Sequence, residues 1–203
     1  MKGCGGAVGL VLCAKVAMAE EFAVLTPEAV RAAYAADRAG GEAVPPLVVK
    51  AFILHEDKGF WEGRYPRSTV TRTITSWYPE PEMGPSLPVE VAIGQALTRE
   101  EIADWFVNRV FLGQGCSGVA GAAEAYFGKP VAALAVQEVA YLAILPTGPA
   151  MFHPERAAEK ALERRNWLLG EMAGAGLIPA DLAGTAMDLP LGVQEPLGTC
   201  PEP

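Results

Sequence analysis

The sequence predicts a mainly α, single-domain protein, and three observations carry that prediction. The chain has 203 residues, of which 51% are apolar and 20% charged. That is enough for one well-filled core, and too little for two comfortable ones. Helix start and stop signals follow one another from Thr26 to Met187. Alternating strand patterns are scarce: "STVTRTIT", residues 68–75, is the sole candidate, and it reads equally well as a helix.

The elements follow in order. Thr26-Pro27 opens "PEAVRAAYAADR", which stops at Gly40-Gly41. Pro45-Pro46 opens "LVVKAFILH". Thr98, with Glu101 three residues on, forms a capping box for "REEIADWFVNRVF". "GVAGAAEAYFGKP" stops at Gly128, with Pro130 beyond it. "VQEVAYLAIL" runs to Pro146, "ERAAEKALERRNWLLGEMAGAG" is long and amphipathic, and Pro179 starts a last short helix at "ADLAGTAM". Two stretches read as irregular. "WYPEPEMGPSLP", residues 77–88, holds four prolines and a glycine yet also Trp77, Tyr78, Met83 and Leu87, so it either packs over the core or is offered to a membrane surface or hydrophobic ligand. The tail, residues 189–203, is expected to be loose unless Cys200 ties it down.

The formal net charge is -8. Such a chain gains nothing from counterion release, so nucleic acid is not an expected partner. Residues 1–19 read as a signal peptide: Lys2, an apolar run from Gly5 to Ala14, and Ala17-Met18-Ala19 before Glu20. Export to the periplasm, possible membrane association included, is the expected location. The alternative is a buried N-terminal helix, for which Gly3, Gly5, Gly6 and Gly9 are poor material. Cys116 and Cys200 then remain, as one disulfide or as two thiols; the spacing does not decide. With two histidines and no CxxC, a structural zinc site is not expected.

Between Leu47 and Leu54 only Lys50 interrupts the apolar run, so this helix is a central one. It ends in Glu56-Asp57-Lys58. Glu56 continues the stripe of Val48 and Phe52, at the negative end of the helix dipole. Desolvation and that dipole both favour the protonated carboxyl, which suits proton transfer. The plainer reading is a solvated residue at the exit of a core helix.

"VPPLVVKAFILHEDKGF", 44–60, resembles the first signature of the peptidoglycan glycosyltransferases, glycosyltransferase family 51. "STVT", 68–71, resembles part of the second. "LTREEIADWFVNRVFLGQGCSGVAGAAEAYFGKP", 97–130, resembles the fourth over its whole length, with Asn108-Arg109, Gly113-x-Gly115 and the Tyr126–Lys129 ending. "LAVQEVAYLAILPTGPAMFHPERAAEKALERRNWLLGEM", 134–172, resembles the fifth and the helix after it. The resemblance implies a lysozyme-like fold over residues 20–188 and a polyprenyl-pyrophosphate-linked disaccharide, lipid II, as substrate, together with the nascent glycan strand. It implies Glu56 as general base, Ser68 and Thr69 as polar contacts to pyrophosphate and sugar, and a divalent cation, Mg²⁺ or Mn²⁺, assisting the leaving group. Lys58 and Arg72 are further candidates for holding the substrate.

The sequence also departs from the family. Gly63 stands where a histidine follows the first signature, and the Gln-Gln of the second reads Arg72-Thr73. In the third, Ser86 falls where a second catalytic glutamate belongs, with Glu82 and Met83 at its basic pair. Glu90 stands in only if the register shifts by about one turn. Arg64, Arg67 and Arg72 either replace the missing positive charge or are ordinary surface residues. Three functions compete: a divergent peptidoglycan glycosyltransferase, a relative that binds lipid II, glycan or a cell-wall synthesis partner without turnover, and a glycan-cleaving enzyme using Glu56 as acid. No penicillin-binding segment follows, so transpeptidation is not expected.

Overall fold

A helix with almost no polar face can be stable only in an interior, and two such helices make the centre of this molecule. The computed structural model describes residues 26–63, 68–78 and 87–200. In it α2 (Pro46–Glu56) buries Val48, Ala51, Phe52 and Ile53 completely or nearly so. Against it lies α7 (Val136–Ile144), buried from Glu138 to Ile144. Full burial of each large aliphatic or aromatic side chain contributes about 1.5–3 kcal/mol, so this pair anchors the single core.

The other helices wrap around it. They are α1 (Pro27–Arg38), α3 (Thr69–Thr75), α4 (Leu87–Ala96), α5 (Arg99–Arg109), α6 (Val119–Phe127), α8 (Ala158–Gly174) and α9 (Ala180–Met187). Among the described residues no strand forms; Phe111 and Ser117 make one isolated bridge. The mainly α expectation therefore holds. So does the capping box: Thr98 Oγ1 accepts from Glu101 N at 3.2 Å, and Glu101 Oε2 accepts from Thr98 N at 2.8 Å. Gly128 ends α6 in the left-handed region, φ 62°.

The ambiguous "STVTRTIT" is a helix. Val70 and Ile74, four apart, are buried, and Thr73 and Thr75 return their hydroxyls to the carbonyls of Thr69 and Thr71 at 3.0 Å. Those local bonds and that spacing outweigh the β preference of threonine. The sequence reading passed over α4. Its buried Val89, Ala92, Ile93 and Ala96 keep helical spacing, and Pro88 lies in the first turn, where a missing N–H costs no bond.

The tail is not loose over residues 189–200. Cys116 and Cys200 form a disulfide with Cα atoms 4.9 Å apart, and Cys200 N donates to Gln114 O at 3.0 Å. Gln194 and Gly198 bond to the carbonyls of Glu124, Ala125 and Tyr126 in the last turn of α6. Leu191 is buried. Before it, the fully buried Arg165 of α8 donates to the carbonyls of Met187, Leu189 and Pro190, locking the end of α9. Burial without a carboxylate partner holds that guanidinium below its ordinary range.

Trp77 and Tyr78 pack edge-on against Trp105, with centroids 6.1 and 6.4 Å away. The beginning of the Pro-rich stretch thus covers the core; residues 79–86, like residues 1–19 expected to be a signal peptide, lie outside the described residues. No described helix is long and apolar enough to cross a membrane.

Candidate active site

Glu56 is the last residue of α2, and its side chain is 16% exposed, at the boundary between core and solvent. Asp57 ends the helix: its backbone N–H reaches Ile53 O at 2.8 Å, and its Oδ1 accepts from Gly59 N at 3.1 Å. The carboxylate carbon of Glu56 is thereby carried on a rigid helix and released by a tight turn directly after it.

The head of α3 is pinned to this point. Thr69 Oγ1 donates to Glu56 O at 2.8 Å, and Ser68 Oγ accepts from Thr71 N at 3.4 Å as the N-cap. Glu56, Ser68 and Thr69, expected to act together from widely read signatures, are together. Both hydroxyls are already used in holding the backbone. Arg72 is exposed on α3, one turn beyond Ser68, and no described residue pairs with it. Lys58 turns the other way: its ammonium pairs with Glu171 of α8 and lies 5.2 Å from the centre of the Trp167 ring. Glu90 is half-buried on α4, whose neighbours are α1 and α3; no hydrogen bond or ion pair joins it to Glu56. Arg64, Arg67, Glu82, Met83 and Ser86 lie outside the described residues.

Glu56 is touched by its α2 neighbour His55, and what the sequence reading missed are the side chains of α8 that hold His55. His55, whose side chain is 2% exposed, places Nδ1 3.2 Å from Glu56 Oε1. Arg164 reaches the other ring nitrogen, with Nε and Nη2 at 3.2 and 3.1 Å from His55 Nε2. The guanidinium lies 4.0 Å from the centre of the Trp167 ring, and His55 meets the same ring edge-on. Arg164 and Trp167, three apart, share a helix face, which was a usable signal. Their pairing with a residue 109 positions away was not. Beside them opens a cleft of about 350 Å³ lined by Thr147, Phe152, Lys160, Glu163, Arg164 and Trp167.

The signature residues of the 108–118 region have structural roles. Asn108 Nδ2 donates to Asp104 O at 2.8 Å, and Arg109 pairs with Asp37 and stacks 5.3 Å from the Trp77 ring centre. Gly113, Gly115 and Gly118 all have positive φ, and a Cβ at Gly118 would sit 2.2 Å from Asn108 O. Tyr126 Oη donates to Leu112 O at 2.8 Å, and burial pushes its phenol up to about 12.

A divalent cation does not fit a cage built from the described residues alone, because no three His, Cys, Asp or Glu side chains gather among them. The described side chain bonded to Glu56 is His55, itself backed by the Arg164 guanidinium, a setting of the wrong charge for a cation. No step below runs through a metal.

Residues 87–173 match the family model described as Transglycosylase. The chain carries a domain of the transglycosylase family. Penicillin-binding protein 1A of Aquifex aeolicus is 31% identical over 179 residues, spanning 75% of this chain and 25% of that protein. Penicillin-binding protein 1A of Escherichia coli is 33% identical over 162 residues, 66% of this chain and 19% of that one. The crystal structure of penicillin-binding protein 1A from Haemophilus influenzae matches with a TM-score of 0.52 and 25% identity, over 74% of this chain and 17% of that one. The chain thus spans a quarter or less of the length of these relatives. The mainly α transglycosylase domain accords with the lysozyme-like class implied by the signatures. The matched span begins after Glu56, Ser68, Thr69 and Arg72, so their roles rest on geometry and on the first two signatures.

Proposed function

We propose that the chain is a divergent peptidoglycan glycosyltransferase that extends glycan strands from lipid II in the periplasm, releasing polyprenyl pyrophosphate. The observation that carries this reading is the placement of Glu56. Its carboxylate ends a buried helix, one oxygen bonded to His55, beside the head of a second helix that carries Ser68 and Thr69. The other oxygen is left for substrate. As base, it takes the proton of the acceptor sugar's 4-hydroxyl while that oxygen bonds to the anomeric carbon of the growing chain. The anomeric carbon–oxygen bond breaks, and its electron pair leaves with the pyrophosphate lipid. Arg72, exposed and without a described partner, is the cation assigned to that leaving charge.

A second reading is a relative that binds lipid II, glycan or another cell-wall synthesis protein without turnover. Two observations favour it: the ammonium of Lys58 is already paired with Glu171, and Thr69's hydroxyl is already committed to Glu56 O. Incubating the full chain with purified lipid II, with and without Mg²⁺, separates the two. Polymer supports the first reading. Saturable binding with no polymer under either condition sinks it and leaves the second.

A further inference from the structure

We infer that Arg164 is a positioning residue for Glu56, acting through the tautomer of His55. The inference rests on the proposed role of Glu56 as base and adds what sets its orientation.

A guanidinium has donors only and stays protonated. Both of its contacts to His55 Nε2, at 3.2 and 3.1 Å, therefore require that nitrogen to accept. The ring proton then resides on Nδ1, which lies 3.2 Å from Glu56 Oε1 and donates to it. One carboxylate oxygen is thus held by an N–H, and the other remains to meet the acceptor hydroxyl. Arg164 is itself held by its stacking on Trp167, at 4.0 Å, and His55 is almost wholly enclosed. The chain Trp167, Arg164, His55, Glu56 thus runs from the surface of α8 to the end of α2. It has the logic of an oriented base: a third group fixes which nitrogen of the imidazole points at the reacting carboxylate.

The molecule supplies its own control. The chain has two histidines. In His153, Nδ1 accepts from the backbone N–H groups of Glu155 and Arg156 at 3.2 and 3.4 Å, so its proton belongs on Nε2, with the Gln114 amide, 3.4 Å away, turned to present its oxygen to that N–H. The structure thus assigns opposite tautomers to the two rings.

Long-range ¹H–¹⁵N correlation spectra of the ¹⁵N-labelled full chain, at mildly alkaline pH, test this. The wild type is expected to show one histidine in each tautomer. Arg164→Ala is expected to move His55 toward the Nε2–H form while His153 keeps its pattern, which also reports an intact fold. Arg164→Gln, whose amide N–H can donate without charge, is expected to retain the Nδ1–H form. Two Nε2–H histidines in the wild type, or an unchanged His55 in Arg164→Ala, overturn the inference. This readout needs no turnover, so it stands or fails apart from the glycosyltransferase reading. In polymerisation kinetics, Arg164→Ala is expected to lower kcat about tenfold, the scale on which a lost orienting hydrogen bond is felt, with KM little changed and Arg164→Gln recovering most of the rate. A raised KM with wild-type kcat contradicts it.

Discussion

The segment from Phe111 to Gly118 and the end of α2 are both dense in signature residues, yet they do opposite things with them. In the first, every distinctive residue serves backbone geometry. Three glycines take positive φ, Cys116 is tied to Cys200, and Tyr126 closes the loop through Leu112 O. In the second, the backbone is ordinary helix and the distinctive feature is a carboxylate partly open to solvent, bonded to His55, with Thr69 of α3 held on the Glu56 backbone carbonyl and Arg164 of α8 held on His55. The longest and most specific signature therefore marks the scaffold, while the proposed chemistry sits at a shorter one. A match to the former is evidence of fold; evidence of activity has to come from the latter.

That contrast can be broken by mutation. The largest loss of stability is expected from Gly118→Ala. Its φ of 85° and ψ of 151° belong to a region essentially restricted to glycine, and the new Cβ meets the Asn108 carbonyl at 2.2 Å. A loss of at least about 3 kcal/mol, read from the denaturant midpoint, is expected. A shift near zero would remove this loop from the scaffold. Cys200→Ser comes next. The disulfide spans 84 residues of sequence, and its removal is expected to cost about 2–4 kcal/mol. Reducing the wild type should give the same midpoint as the variant; a larger fall on reduction than on substitution contradicts the assignment.

The smallest effect sharpens the comparison at its edge. The Arg31 guanidinium, and then the Thr98 N–H, hold the Glu101 carboxyl below the usual carboxylate range. The lower folded value means that this stabilisation is fully present above the ordinary glutamate range and is lost as pH falls through the lowered value. Glu101→Gln is expected to cost less than about 1 kcal/mol at neutral pH and to leave a shallower acid limb in a pH series of thermal melts. An acid limb identical to that of the wild type would assign the acid sensitivity to other carboxylates.

Much of the fold was legible in the sequence because the relevant signals are local. Thr98 and Glu101 are three residues apart, Gly128 stops its own helix, and the apolar run of α2 declares burial without reference to any neighbour. The helix α4 was obscured by Pro88 and Gly94, although its buried positions keep helical spacing. The pairing of Cys116 with Cys200 depends on where the tail runs over α6, which no spacing encodes. The site divides in the same way. Glu56 stood out by its place at a helix end. The commitment of Lys58 to Glu171, and the approach of Arg164 to His55, are products of α8 packing on α2 and leave no trace in either segment alone.

The account turns on Glu56 as the group that accepts a proton from the incoming sugar. The direct measurement is the rate of glycan polymer formation from purified lipid II by the full chain and by its Glu56→Gln variant, with circular dichroism confirming that both are folded. The wild type is expected to make polymer, and the variant to be slower by about 10²–10⁴-fold, the range that a positioned general base supplies. Polymer formed at equal rates by both proteins would contradict it.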